Sequence, residues 1–274
     1  EIGVRLVGSE MCIRDRYAVI INADDFGQTE SCTRAIYEAF QKGLITDTTM
    51  VANGEAMELA FAMAPEMRGH IGAHLNLTEG PALTPAMRKN AKFVSNGRFT
   101  DYFKTRSNYF RRLSPQDKQD IYEELTAQME RLIAGGIELT HADSHHHIHW
   151  NWMLAPIFFR VCREHGICRV RCHKNVRGRF KLWNGLYAHI YGIRLRQNGF
   201  RSPEHFESIR MYEKTLPGIS EMMVHPDHDS DGVLIDREKK EHLPDGKVAA
   251  RGKALESLVR SRAGSVQKME YARL

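Results

Sequence analysis

Charged and imidazole side chains recur where short apolar runs end, and this placement most restricts how the chain can fold. Tyr17 to Asn22 is continuous rather than alternating, the pattern of a strand buried on both faces, and Asp24-Asp25-Phe26-Gly27 follows it. His70 to Leu77 predicts a second strand and contains His74. Ile137 to His141 predicts a third, followed by Asp143, His145, His146, His147 and His149. Met222 to His225 predicts a late strand, with Pro226 after it. In parallel α/β folds the carboxyl ends of the strands converge on one face, so these distant groups can meet there.

Amphipathic stretches separate the runs. Ile36 and Phe40 lie four apart ahead of a stop at Gly43. Ser114, Pro115 and Asp117 open the clearest helix as N-cap, first residue and capping-box acid. Its stripe is Ile121, Leu125, Met129, Leu132 and Ile133, and Gly135-Gly136 ends it. Helices are also predicted over Ile157 to Glu164, closed by Gly166, and over Lys253 to Arg260. Strands alternating with helices imply a parallel sheet, as a barrel or an open doubly wound sheet. No glycine-rich dinucleotide fingerprint follows the first strand, which argues against a Rossmann domain. With 274 residues and neither internal repeat nor linker, the chain reads as one α/β domain over 17–274.

Residues 1–16 (EIGVRLVGSEMCIRDR) have no apolar signal-peptide core and no clean period, and read as a non-native N-terminal appendage. The formal net charge of +5 is mild and requires no nucleic-acid partner. No run approaches the roughly 18 apolar residues of a membrane helix. Five cysteines without a C-x-x-C pair fit a reducing cytoplasm, and Cys168, Cys172 and His173 fall short of a four-ligand zinc knuckle. Residues 165–203 hold nine Lys or Arg and no Asp or Glu, with interleaved aromatics. This basic, aromatic insertion (about 169–203) reads first as a solvated helical element packed on the barrel, second as a sugar-side wall or lid, and last as a nucleic-acid surface.

Taken alone, Asp24-Asp25 is equally a cation or donor site and a helix N-cap with a first-turn acid. The segment from His141 to His149 is sharper. In extended form His145, His147 and His149 share one face, and two imidazoles with one carboxylate leave coordination positions open for water and substrate. His74 and His225 gain weight only if the strands converge.

Four motifs, N-A-D-D-F-G at 22–27, G-A-H-L-N-L-T-E-G at 72–80, H-A-D-S-H-H-H-I-H at 141–149 and E-M-M-V-H-P at 221–226, occur in order. Together they resemble the YdjC-like carbohydrate deacetylases, over about residues 17–226. The resemblance implies a single-domain, distorted (β/α) barrel of the polysaccharide-deacetylase type. It implies a divalent cation, Mg²⁺ by family, held by Asp25, His74 and His145, with Asp24 as catalytic base and His225 as general acid. His141, Asp143, His147, His149 and Glu79 would support these groups or face substrate. An O,N,N donor set suits Zn²⁺, Co²⁺ or Mn²⁺ better than Mg²⁺, which prefers oxygen.

The implied reaction releases acetate from an N-acetylated amino sugar of the chitooligosaccharide type. The expected partner is that small molecule, neither nucleic acid nor membrane, with a homodimer left open. The alternatives are a non-catalytic sugar- or metal-binding homologue and another metallohydrolase such as a phosphoesterase; for the latter the chain lacks a phosphate-cradling glycine loop. After His225 the sequence departs from the family pattern in a charged run. Val266 to Leu274 makes a poor strand, which leaves the C-terminal closure of the barrel open.

Overall fold

The computed structural model describes residues 17–105, 108, 111–173, 181–212, 217–242, 248–264 and 266–274. Residues 1–16, and with them the reading of an appendage, lie outside these. Six of the strands form a parallel path in one sheet: β1 (Tyr17–Phe26), β2 (Asp47–Met50), β3 (Ile71–Leu75), and, past the two-residue pair β4 (Val94–Ser95) and β5 (Arg98–Phe99), β6 (Ala142–Ser144), β7 (His205–Ser208) and β8 (Gly218–Val224). Their order is β6-β3-β2-β1-β8-β7. β1 is central, and every residue from Ala18 to Phe26 is buried, as its unbroken apolar run requires.

Helices α1 (Glu30–Gln41), α2 (Met57–Met63), α3 (Pro85–Lys89), α4 (Pro115–Ala134), α5 (Ala155–Glu164) and α6 (Lys181–Gln197) lie between strands in chain order. The α4 N-terminus forms the capping box foreseen: Asp117 N donates to Ser114 Oγ at 3.0 Å and Ser114 N to Asp117 Oδ2 at 2.9 Å. Isolated bridges from Ala142 to Val170 and from Arg169 to Arg201 continue the curl from β6 toward β7, giving the distorted barrel.

Several boundaries differ from the sequence reading. The third strand is Ala142–Ser144 rather than 137–141, because paired register with β3 begins at Ala73↔Ala142. The stretch 145–150 is not extended. It is a tight helical turn with His146 and His147 at φ of 51° and 55°, so His145, His147 and His149 do not share a face. The charged run after His225 forms a small antiparallel sheet of β9 (Pro226–His228), β10 (Leu234–His242) and β11 (Val248–Ala254).

The C-terminal closure, left open by the sequence, is made by α7 (Leu255–Ala263), the two-residue strand β12 (Gln267–Lys268) beside Ala18 and Val19, and a buried turn at Tyr271. The Tyr271 ring stacks on His141 at 3.8 Å between centroids, its backbone N donates to Asp47 and its hydroxyl to Glu221. A closing element this short is held by one aromatic and its polar contacts rather than by a ladder.

The basic segment is only partly a solvated element. Residues 174–180 lie outside the described set. Leu186 is exposed on α6, but Tyr191 is buried, and Arg171 is fully buried beneath the ends of β1, β6 and β8.

Candidate metal centre

The end of β1 explains how two adjacent carboxylates serve one site. In a regular strand Asp24 and Asp25 would point to opposite faces. The pairing of β1 with β2 slips between Ala23 and Phe26, and Asp25 sits at φ 80°. This bulge re-aims consecutive side chains. A positive φ is costly for a non-glycine residue and persists where the surroundings fix it.

Asp25, His74 at the end of β3 and His145 just after β6 meet. Asp25 Oδ1 lies 2.8 Å from His145 Nδ1 and 3.4 Å from His74 Nε2, and the two nitrogens are 3.3 Å apart. Asp25 Oδ1 is buried and has hydrogen-bond geometry to neither imidazole. A carboxylate oxygen and two ring nitrogens at such mutual distances match one face of a metal coordination shell with bonds of about 2.0–2.2 Å. The residues present therefore fit a divalent cation.

Each of these side chains is held from behind. His74 Nδ1 is 2.5 Å from Asp143 Oδ1, and His145 Nε2 is 3.4 Å from Glu79 Oε2, so each imidazole can turn its other nitrogen to an ion, as carboxylate-supported metal ligands do. Lys104 donates to Glu79 at 3.0 Å. Arg237 of β10 donates to Asp25 Oδ2 at 2.8 Å.

Burial alone would lower the His74 imidazole, but Asp143 and Asp25 overcome it and push it up to about 10. Burial likewise opposes charge on His145, and Asp25 and then Glu79 raise it. Burial would lift the Asp25 carboxyl, yet the imidazoles hold it well below the usual carboxylate range. A divalent cation held here would need both ring nitrogens unprotonated, so its binding would compete with protons.

Arg171 organises the second half of the site. Its Nη2 and Nη1 donate to Asp24 Oδ1 and Oδ2 at 2.6 and 2.7 Å, Nη1 reaches Asp143 Oδ2 at 2.6 Å, and Nε donates to Glu221 Oε1 at 2.8 Å. Burial would raise the Asp24 carboxyl, but the guanidinium outweighs it and keeps Asp24 below the usual carboxylate range. Burial pushes Glu221 up to about 7 despite Arg171. Because Ala23 and Val224 are register partners, Asp24 and His225 leave neighbouring strands side by side. The half-buried His225 is fixed through its backbone: its N donates to Asp236 at 2.8 Å and its O accepts from Arg237 N at 2.8 Å.

His141, His147 and His149 separate from the cluster, whereas His146 stays beside His145 and Glu79. His141 lies under Gly72, where an added Cβ would come within 2.7 Å of its ring, and its Nε2 is 3.1 Å from Asn22 Oδ1. His147 stacks on Trp150 and His149 on Phe158, with His149 Nδ1 2.5 Å from Ser144 Oγ. Burial, then Arg171, holds all three imidazoles well below their ordinary value, hence neutral. Among the described residues no group able to hold an ion includes a cysteine. Beside His145 a polar cleft of about 360 Å³ is lined by Gln28, Asn53, Asn76, Thr78, Glu79 and Lys104, among others.

Sequence reasoning missed Arg171, Glu221 and Arg237. Glu221 stands in a quoted motif without a role. Arg171 and Arg237 sit in charged runs, and no local pattern marks either as buried.

Fold and site together define a parallel α/β barrel whose strand ends gather an acid–imidazole cluster suited to a divalent cation. The model of the YdjC-like protein family matches residues 18–265, and the chain belongs to that family. Over 162 residues it is 35% identical to carbohydrate deacetylase 1 of Listeria innocua, covering 58% of this chain and 62% of that protein. It is 33% identical over 164 residues to a carbohydrate deacetylase of Vibrio campbellii, covering 56% and 61%. The matched region thus spans about three fifths of these relatives. A crystal structure from Enterococcus faecalis, described as a candidate cellobiose-phosphate cleavage protein, superposes with TM-score 0.67 at 21% identity, covering 94% of this chain and 98% of that one, and shows the same fold. No helix among the described residues is long and apolar enough to cross a membrane.

Proposed function

We propose that the chain is a divalent-cation-dependent hydrolase that removes acetyl groups from N-acetylated amino sugars of the chitooligosaccharide type. The observation that carries this reading is the triangle of Asp25 Oδ1, His74 Nε2 and His145 Nδ1, with Asp24 and His225 beside it on neighbouring strands. The activity named for the relatives supports it. Asp25, His74 and His145 would hold the cation; the N,N,O donor set favours Mn²⁺, Co²⁺ or Zn²⁺, and family resemblance Mg²⁺.

When bound, the cation supplies Lewis-acid polarisation of the acetyl carbonyl and acidifies water at the site. Asp24 is ionised, and accepts the proton of the attacking water. His225 delivers a proton to the amine nitrogen as the C–N bond breaks, giving acetate and a free amino sugar. Asp143 and Glu79 orient the two imidazoles. The cleft receives the sugar, where Gln28 Oε1, a buried acceptor without a hydrogen-bond partner, is available to a hydroxyl.

The test is an acetate-release screen over N-acetylated mono- and oligosaccharides, with Mg²⁺, Mn²⁺, Co²⁺ and Zn²⁺ supplied separately. Release that needs added cation is expected. Cation binding without acetate from any substrate would refute the hydrolase and favour a silent binding protein.

A further inference from the structure

Arg237 stands where it controls how Asp25 uses its two oxygens. Its Nη2 donates to Asp25 Oδ2 at 2.8 Å, the oxygen turned away from the imidazoles, and its Nη1 to Asp227 Oδ2 at 3.1 Å. Asp227 is itself fixed by Ser31 Oγ at 2.5 Å. The guanidinium side chain is 13% exposed, so water competes little for these contacts. Its backbone N also holds the His225 carbonyl, so one hairpin position touches both the cation side and the proton-donor side of the site.

A carboxylate can bind an ion through one oxygen or chelate it through both. With Oδ2 claimed by a guanidinium, Oδ1 alone faces the two imidazoles. Three single protein bonds leave about three positions of a six-coordinate ion open, whereas chelation by Asp25 would leave about two.

We propose that Arg237 is a positioning residue that confines Asp25 to a single bond with the cation and so keeps a coordination position free for water. This rests on the metal-centre reading above. The experiment loads the full chain and its Arg237→Gln, Arg237→Ala and Arg237→Lys variants with Mn²⁺. It counts exchangeable water ligands by pulsed EPR in deuterated water, beside Mn²⁺ affinity and acetate release.

The Gln and Ala variants are expected to lose about one of three waters, to bind Mn²⁺ more tightly, and to lose turnover more than substrate affinity. Lys, which retains charge and one donor, is expected to keep the parental count. Two neutral variants are used so that a folding failure in one, seen by circular dichroism, leaves the other. Mn²⁺-loaded Gln or Ala variants with the parental water count would overturn the inference, whatever their activity. A parent chain that binds no Mn²⁺ would instead refute the metal centre, and this inference with it.

Discussion

Replacing Arg171 by methionine removes the cation from three buried carboxylates while roughly keeping side-chain volume. Asp24, Asp143 and Glu221 all lie within 2.8 Å of the guanidinium, and all four side chains are buried. Breaking a buried ion pair from one side costs about 3–5 kcal/mol, because the partner charge stays buried and uncompensated. With three partners, Arg171→Met should fall at the top of that range, a large part of a typical total of roughly 5–15 kcal/mol.

The loss should also depend on pH in a stated sense. Glu221 already sits at about 7 against an ordinary 4.5, so its contribution is full below 4.5 and is lost as pH rises through 7. Without Arg171 the Glu221 carboxyl moves further up, and the Asp24 carboxyl rises out of its lowered range. The variant therefore approaches the parent near pH 5 and falls away from it toward pH 9. Urea unfolding at a series of pH values reads this directly. Adding Asp24→Asn and Glu221→Gln should return much of the stability and none of the acetate release. A destabilisation below about 1 kcal/mol, or one flat from pH 5 to 9, would refute the account of Arg171 as the counter-ion of the site.

Other expectations concern the cation, the base and the barrel floor. Asp24→Asn should lower turnover by about 10²–10⁴-fold while leaving Mn²⁺ affinity near parental, as steady-state kinetics beside calorimetry would show. His74→Ala should lose both binding and activity, and should not gain the roughly 2.7 kcal/mol that a ligand at a hundred times its Kd gives the parent in thermal melts. Burial pushes Asp47 up to about 8 from an ordinary 3.8, so the folded chain binds the extra proton and stability falls as pH rises from about 4 through 8. Asp47→Asn should flatten that slope in urea titrations, and an unchanged slope would remove Asp47 as its source.

The sequence reveals most where local pattern and global position agree. The β1 run and the α4 capping box are written in consecutive residues. Asp25, His74 and His145 are legible because each stands at or just after a strand, and parallel topology brings those ends together. His147 and His149 mislead because His146 and His147 turn through positive φ, so the alternation assumed for a strand does not apply. Arg171 misleads more deeply. Its neighbours in the chain are basic and aromatic, and what neutralises it, Asp24, is 147 residues away. The bulge that turns Asp24 and Asp25 to one site is equally silent, since no glycine marks it.

The parallel register has a consequence for how the protein reaches its native state. His74 and His145 are 71 residues apart, and Arg237 reaches Asp25 across 212. Contacts of such separation require long loops to close before they return anything, which makes folding slow. No single supersecondary unit brings Asp25, His74 and His145 together, so capture of an ion there would be a late event that reports assembly of the β6-β3-β2-β1 part of the sheet. In a refolding experiment, cation uptake should lag behind helix formation and coincide with the slowest phase.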